Sequence, residues 1–125
     1  MTPERKLYND LKKKTHGIIW NRIENLSIPG MPDVLGYNAN RKFFTVELKV
    51  AKSNKVKFSP HQIAFHKTHP TNTFILAEAH GPRSSKLIYM YRGSRITELD
   101  ACGLELEACC LGLEACRLEL DSLGA

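Results

Sequence analysis

The sequence predicts a mixed α/β domain in which helices flank a mixed central sheet, in the order αβββαββ. A segment of helical period opens the chain. Short β-branched and aromatic stretches bounded by turn residues follow, interrupted by one Ser-Pro helix start. The 125 residues, 42% hydrophobic and 25% charged, suit one ordinary domain and exclude a large multidomain enzyme. The longest uncharged apolar runs, Phe74 to Ala77 and Leu87 to Tyr91, are strand-sized. A membrane-spanning helix needs roughly 18 apolar residues. The first residues, Met-Thr-Pro-Glu-Arg-Lys, carry charge where a secretory signal has an apolar core, so an intracellular, cytoplasmic protein is expected.

Pro3 suits a first helical turn, and Leu7, Tyr8 and Leu11 keep helical spacing before Gly17, so residues 3–15 are expected to form an amphipathic helix. Lys12 to Lys14 fall where they complement its dipole. Ile18 to Glu24 reads as a strand, and Ser27-Ile28-Pro29-Gly30-Met31-Pro32 as a loop. Asp33 to Tyr37 and Lys42 to Val50 are two strands joined by Asn38-Ala39-Asn40-Arg41, whose asparagines tolerate positive φ. Lys52 to Lys57 is a basic loop. Ser59-Pro60-His61-Gln62 supplies an N-cap, a proline at the first helical position and a Gln three after the cap, opening a helix over about 60–68. Thr73 to Ala79 and Lys86 to Arg92 are further strands.

Charge divides the chain. Residues 1–97 hold 17 Lys/Arg against 6 Asp/Glu, a net +11, whereas residues 98–125 hold 1 Arg against 7 acids, a net −6. A body at +11 attracts polyanions, nucleic acid first. In sevens from residue 97 the acidic segment reads TELDACG, LELEACC, LGLEACR, LELDSLG. Leu at the first and third places lies about 200° apart on a helix, and a seam of third and sixth places gives Leu/Cys interrupted by Gly103, Gly112 and Gly124. That is a poor zipper, so 98–125 is expected to be a low-complexity tail without chemistry, with self-association or a partner helix as the alternative. All four cysteines lie there, with no CxxC pair and no accompanying His, which argues against zinc; a reducing compartment argues against disulfides.

Pairing Tyr37 with Lys42 across the Asn-rich turn puts Asp33 opposite Val46, one place from Glu47. Glu47 and Lys49 then share one face, while Val46, Leu48 and Val50 turn to the core. Two neighbouring carboxylates repel unless a cation joins them, and hard oxygen donors suit Mg²⁺ or Mn²⁺. A lysine beside them stabilises charge developing on a phosphoryl group. An ordinary surface hairpin with an acid–lysine pair is the plainer reading of the same spacing.

The whole string, Gly30-Met31-Pro32-Asp33, thirteen residues, then Glu47-Leu48-Lys49, resembles the signature of the PD-(D/E)XK nuclease superfamily. The likeness is nearest to small stand-alone VRR-NUC-type nucleases, phage endonucleases and Holliday-junction resolvases, and spans residues 4 to about 92. The first helix ending at a Gly, the Trp20/Arg22 strand, the hairpin, the basic loop and Ser59-Pro60-His61-Gln62 all belong to it. It implies a restriction-endonuclease-like core over residues 1–97, with Asp33 and Glu47 as metal ligands, the Leu48 carbonyl as a further ligand and Lys49 as the catalytic lysine. Gln62 matches the helix glutamine of such proteins, though a capping box explains it equally. Relatives also use a glutamate of the first helix, here Glu4; Glu24, before the Gly-x-Pro-Asp turn, competes and is slightly favoured, because Glu4 also suits a helix start.

Of the histidines, His61 and His66 are five apart rather than four, so structural or DNA-facing roles are expected, with His66 in reach of a phosphate or the attacking water. Lys52, Lys55 and Lys57 are expected to contact the DNA backbone, with Arg22, Arg41 and Lys42 as weaker candidates. No cluster of exposed aromatics is expected to read bases. The expectation is a Mg²⁺- or Mn²⁺-dependent endonuclease on duplex or branched DNA, leaving 5′-phosphate ends, homodimeric and possible as a phage-encoded protein in a bacterial host. A catalytically silent nucleic-acid-binding module of the same fold is the alternative, and an assembly protein working through its tail a third.

Overall fold

The computed structural model describes residues 2–23 and 28–125. It contains α1 (Pro3–Lys14), β1 (Ile19–Arg22), β2 (Val34–Tyr37), β3 (Phe43–Val50), α2 (Pro60–Thr68), β4 (Thr73–His80), β5 (Lys86–Arg92), α3 (Ile96–Cys102), β6 (Cys110–Leu111) and α4 (Leu113–Ser122). The strands form one six-stranded sheet in chain order. Only β3 and β4 run parallel, because α2 carries the chain across between them; every other pair is antiparallel. This is the expected mixed sheet with flanking helices, and among the described residues no helix is long and apolar enough to cross a membrane.

Local chemistry accounts for the helix ends. Thr2 caps α1 by accepting from the Arg5 amide, with Pro3 in the first turn. Ser59 and Gln62 close a reciprocal capping box at α2. Because strand side chains alternate, the sheet has two cores. On one face Val46, Leu48, Phe74, Leu76 and Met90 meet Leu7 and Leu11 of α1 and Cys116 and Leu120 of α4. On the other, Ile75, Ala77 and Tyr91 meet Ile96 and Leu99 of α3, with Ile63 of α2 packed alongside.

Two expectations change. The β2–β3 register pairs Tyr37 with Phe43 and Val34 with Val46, one residue away from the expected pairing. Arg41, not an asparagine, takes the left-handed conformation, at φ 63°. Asn38 and Lys42 therefore flank a three-residue loop, with Lys42 O accepting the Asn38 N–H at 3.1 Å. The Asn38 side-chain oxygen ties the loop down by accepting from the Asn40 and Lys42 amides, each at 3.0 Å.

The acidic segment, expected as an appendage, is part of the fold. Its Leu/Cys seam is real but closes within the chain: Leu113, Cys116, Leu120 and Leu123 all pack into the α1-side core. Buried Asn38 donates to the carbonyls of Leu120 and Leu123 at 2.9 Å, and Asn40 to those of Asp121 and Leu123. β6 extends the sheet beside β5. The interrupting glycines mark element ends: Gly103 follows α3, Gly112 precedes α4 and Gly124 follows it.

Candidate active site

Asp33 lies one residue before β2, and continuing the observed register puts it directly opposite Glu47. Its Oδ2 accepts the Leu48 N–H at 2.7 Å, so the acid extends the β2–β3 ladder with its own side chain. A strand residue's N–H and C=O project to the same side, so the Leu48 carbonyl shares that edge. The loop before Asp33 is pressed onto α2: Gly30 has φ +84°, and a Cβ there would overlap the His61 carbonyl.

Glu47 and Lys49 share a face, as expected, but that face is covered rather than presented. Glu47 is 3% exposed, because α2 crosses over it and Gln62 reaches down. Gln62 Nε2 donates to Glu47 Oε2 at 3.3 Å, while Gln62 Oε1 accepts from Lys49 Nζ at 3.1 Å and from the Ser59 amide at 2.9 Å. One Gln62 side chain therefore closes the capping box and also reaches Glu47 and Lys49. Lys49 Nζ also stands 5.1 Å from the centre of the Phe58 ring.

Burial raises the Glu47 pKa to about 9, helped by the hydrogen bond and negative charge of Asp33; Lys49 opposes the shift and Glu4 adds to it. Glu47 Oε1 is buried with no hydrogen-bond partner. A buried Glu47 oxygen with no hydrogen-bond partner, beside the Asp33 carboxyl group, is a donor set that fits a hard divalent cation once the cation displaces the Glu47 proton. Among the described residues no three His, Cys, Asp or Glu side chains group to hold a metal. The donors that fit are two carboxylates with a backbone carbonyl, and water oxygens would complete the shell.

Glu4 and Arg22 join Asp33 and Leu48 around a cleft of about 20 Å³, whose other walls are Arg5, Tyr8 and Val34. Glu4 therefore lies near Asp33 in the fold, while Glu24 lies outside the described residues. The Arg22 guanidinium carbon is 5.9 Å from the Tyr8 ring centre. Arg5, Tyr8 and Phe58 were missed by the sequence reading. For Arg5 and Tyr8 the signal was present, since helical spacing puts Glu4 and Tyr8 on one face of α1.

His66 is corrected. It is fully buried, its Nδ1 2.9 Å from the Gln62 carbonyl and its Nε2 without a partner, so it presents nothing to a phosphate. Burial lowers its pKa, keeping the ring neutral. Gln62 and His66 are one helical turn apart, so a Gln62 that faces the sheet carries His66 inward with it. Lys52, Lys55 and Lys57 are exposed, as are Arg41 and Lys42 beyond the far end of the hairpin. Phe43 is 59% exposed, its ring centre 4.5 Å from that of half-buried Tyr37, with exposed Ile19 next in the row and on the Glu47 side of the sheet.

No protein-family model matches the chain, and no curated protein sequence matches it. Among solved structures, the chain is similar to Hjc, a Holliday junction resolvase from the archaeal hyperthermophile Archaeoglobus fulgidus, with 21% identity, a TM-score of 0.47 and coverage of 69% of this chain and 72% of that one.

Proposed function

We propose that this chain is a divalent-metal-dependent endonuclease of the PD-(D/E)XK type, acting on DNA phosphodiesters. The observation that carries the reading is the convergence of Asp33, Glu47, Lys49 and Gln62 where α2 covers β3, with a buried Glu47 oxygen left without a hydrogen-bond partner. The chain's net charge of +5 and the exposed Lys52, Lys55 and Lys57 support a polyanionic substrate. The sequence string through Gly30, Asp33, Glu47 and Lys49 supports the family, with VRR-NUC-type and phage endonucleases its nearest members.

Asp33, Glu47 and the Leu48 carbonyl would hold Mg²⁺ or Mn²⁺, and Glu4 lines the neighbouring cleft with Asp33. When bound, such a cation supplies Lewis acidity toward the scissile phosphate. Lys49 donates to the non-bridging oxygen on which negative charge grows. Gln62 keeps the ammonium aimed by accepting from it, and fixes the Glu47 carboxylate through its other atom. Lys52, Lys55, Lys57 and Arg22 hold flanking phosphates. Two copies would present two sites to branched DNA.

The test is cleavage of linear duplex, single-stranded, flap and four-way-junction DNA, with Mg²⁺, with Mn²⁺ and with chelator. Metal-dependent cutting that Glu47→Ala and Lys49→Ala each reduce by at least about 10²-fold is expected. Cutting that survives both substitutions would reject the mechanism. Metal-independent binding without any cutting would assign the chain to the non-catalytic alternative.

A further inference from the structure

The basic loop and the acidic segment meet at a built contact. Lys52 and Lys55 exchange both backbone hydrogen bonds, at 3.2 and 3.1 Å, around a tip formed by Ser53 and Asn54, with Ser53 in the left-handed region at φ 57°. The Asn54 carbonyl accepts the Leu104 N–H at 2.9 Å. Gly103, immediately before Leu104, has φ +66°, and any Cβ there would overlap the Asn54 carbonyl oxygen. Beneath this contact Val56 and Leu104 are buried in one core with Ile96 and Leu99. Lys55 and Lys57 line a cavity of about 410 Å³ together with Asp100 and Glu105, and among the described residues no ion pair joins these lysines to these acids. The acids therefore leave the lysine side chains exposed, and the joint is made by backbone and core.

The start of this loop is anchored to the central sheet, and its end reaches the candidate site. At its start the Ala51 N–H donates to the Glu78 carbonyl at 2.8 Å. At its end the Phe58 ring lies 5.1 Å from Lys49 Nζ. Where the tip is held thus decides where three cations stand relative to Lys49.

We propose that the Gly103–Leu104 turn is the positioning brace of the basic loop, so that residues with no positive charge and no contact with substrate set the nucleic-acid affinity of Lys52, Lys55 and Lys57. The inference rests on the reading above that those lysines contact phosphates. A brace acts by preorganisation: a loop already held in its binding geometry loses less freedom when the polyanion arrives.

The experiment is fluorescence anisotropy of a labelled DNA duplex against the full chain in chelator, repeated across salt concentrations. Lys52→Gln/Lys55→Gln/Lys57→Gln is expected to lower the slope of log K against log salt by about 3. Gly103→Val, which changes no charge, is expected to weaken binding about 10-fold and to lower the same slope by about 1 to 2. Amide exchange should rise across 52–57 while the central sheet stays protected. A folded Gly103→Val with wild-type slope and affinity overturns the brace. An unchanged slope in the triple variant overturns the phosphate reading instead. Gly103→Ala is read in the same way if the valine variant does not fold. In the unaltered chain, the Leu104 and Lys55 amides should open with one common free energy; a freely exchanging Leu104 beside a protected Lys55 also overturns the brace.

Discussion

Gln62 donates to Glu47 at 3.3 Å from the same amide that completes the α2 capping box. One side chain therefore couples helix formation to the state of the buried acid. Gln62→Ala is expected to cost about 1 kcal/mol of stability through the lost cap. It should also lower cleavage about 10- to 100-fold, because Lys49 and Glu47 lose their common tether. Gln62→Glu separates the two roles: it can rebuild the box but sets a third carboxylate beside Glu47 and Asp33. Urea unfolding and kcat/KM, measured on both variants, report the two effects separately.

Glu47 makes the metal-free protein pH-sensitive in a defined direction. Its folded pKa is raised from 4.5 to about 9, so the folded state keeps a proton that the unfolded state gives up. The resulting stabilisation is complete below pH 4.5 and is lost as the pH climbs toward 9. Thermal unfolding in chelator should show Tm falling across that window, and Glu47→Gln should flatten the fall. Metal uptake near neutral pH should release protons, measurable as a buffer-dependent heat in calorimetry.

His66 gives the opposite slope. Its pKa is lowered by burial, so acid protonates the unfolded chain first and stability is lost as pH falls through the ordinary histidine value of about 6.5. His66→Phe should remove that acid-side loss from a Tm–pH profile while leaving cleavage at neutral pH largely intact.

The acidic segment should prove inseparable from the body. Asn38→Ala removes the donors to the Leu120 and Leu123 carbonyls and the acceptor for the Asn40 and Lys42 amides, an expected loss of about 2–4 kcal/mol. Truncation after Thr97 uncovers Leu7, Leu11 and Val46 in the α1-side core. It should abolish cooperative urea unfolding and expose dye-binding apolar surface.

Much of this was legible from local signals. Ser59-Pro60-His61-Gln62 specifies α2, and strand alternation puts Glu47 and Lys49 on one face. The parts that were not legible depend on what covers what. Nothing near Glu47 in the chain says that α2 will bury it, and nothing in the Leu/Cys spacing says that Leu7 and Leu11 will receive Cys116 and Leu120. That Glu4 lines a cleft with Asp33 likewise depends on how α1 packs against the sheet, and Glu24 lies outside the described residues. The register differed because the left-handed position fell on Arg41, a residue type with no particular preference for it.

That last difference has a reach beyond the turn. Asp33 and Glu47 stand four register steps from the Tyr37–Phe43 pair, about 13 Å along the strands at the usual rise. A loop one residue shorter or longer between Asn38 and Lys42 would turn one strand's side chains to the opposite face of the sheet. Asp33 would then point at one core and Glu47 at the other. The number of residues in a surface hairpin tip is therefore a determinant of whether Asp33 and Glu47 face one another, and an insertion there is expected to abolish the proposed metal-dependent cleavage without touching any atom of the site.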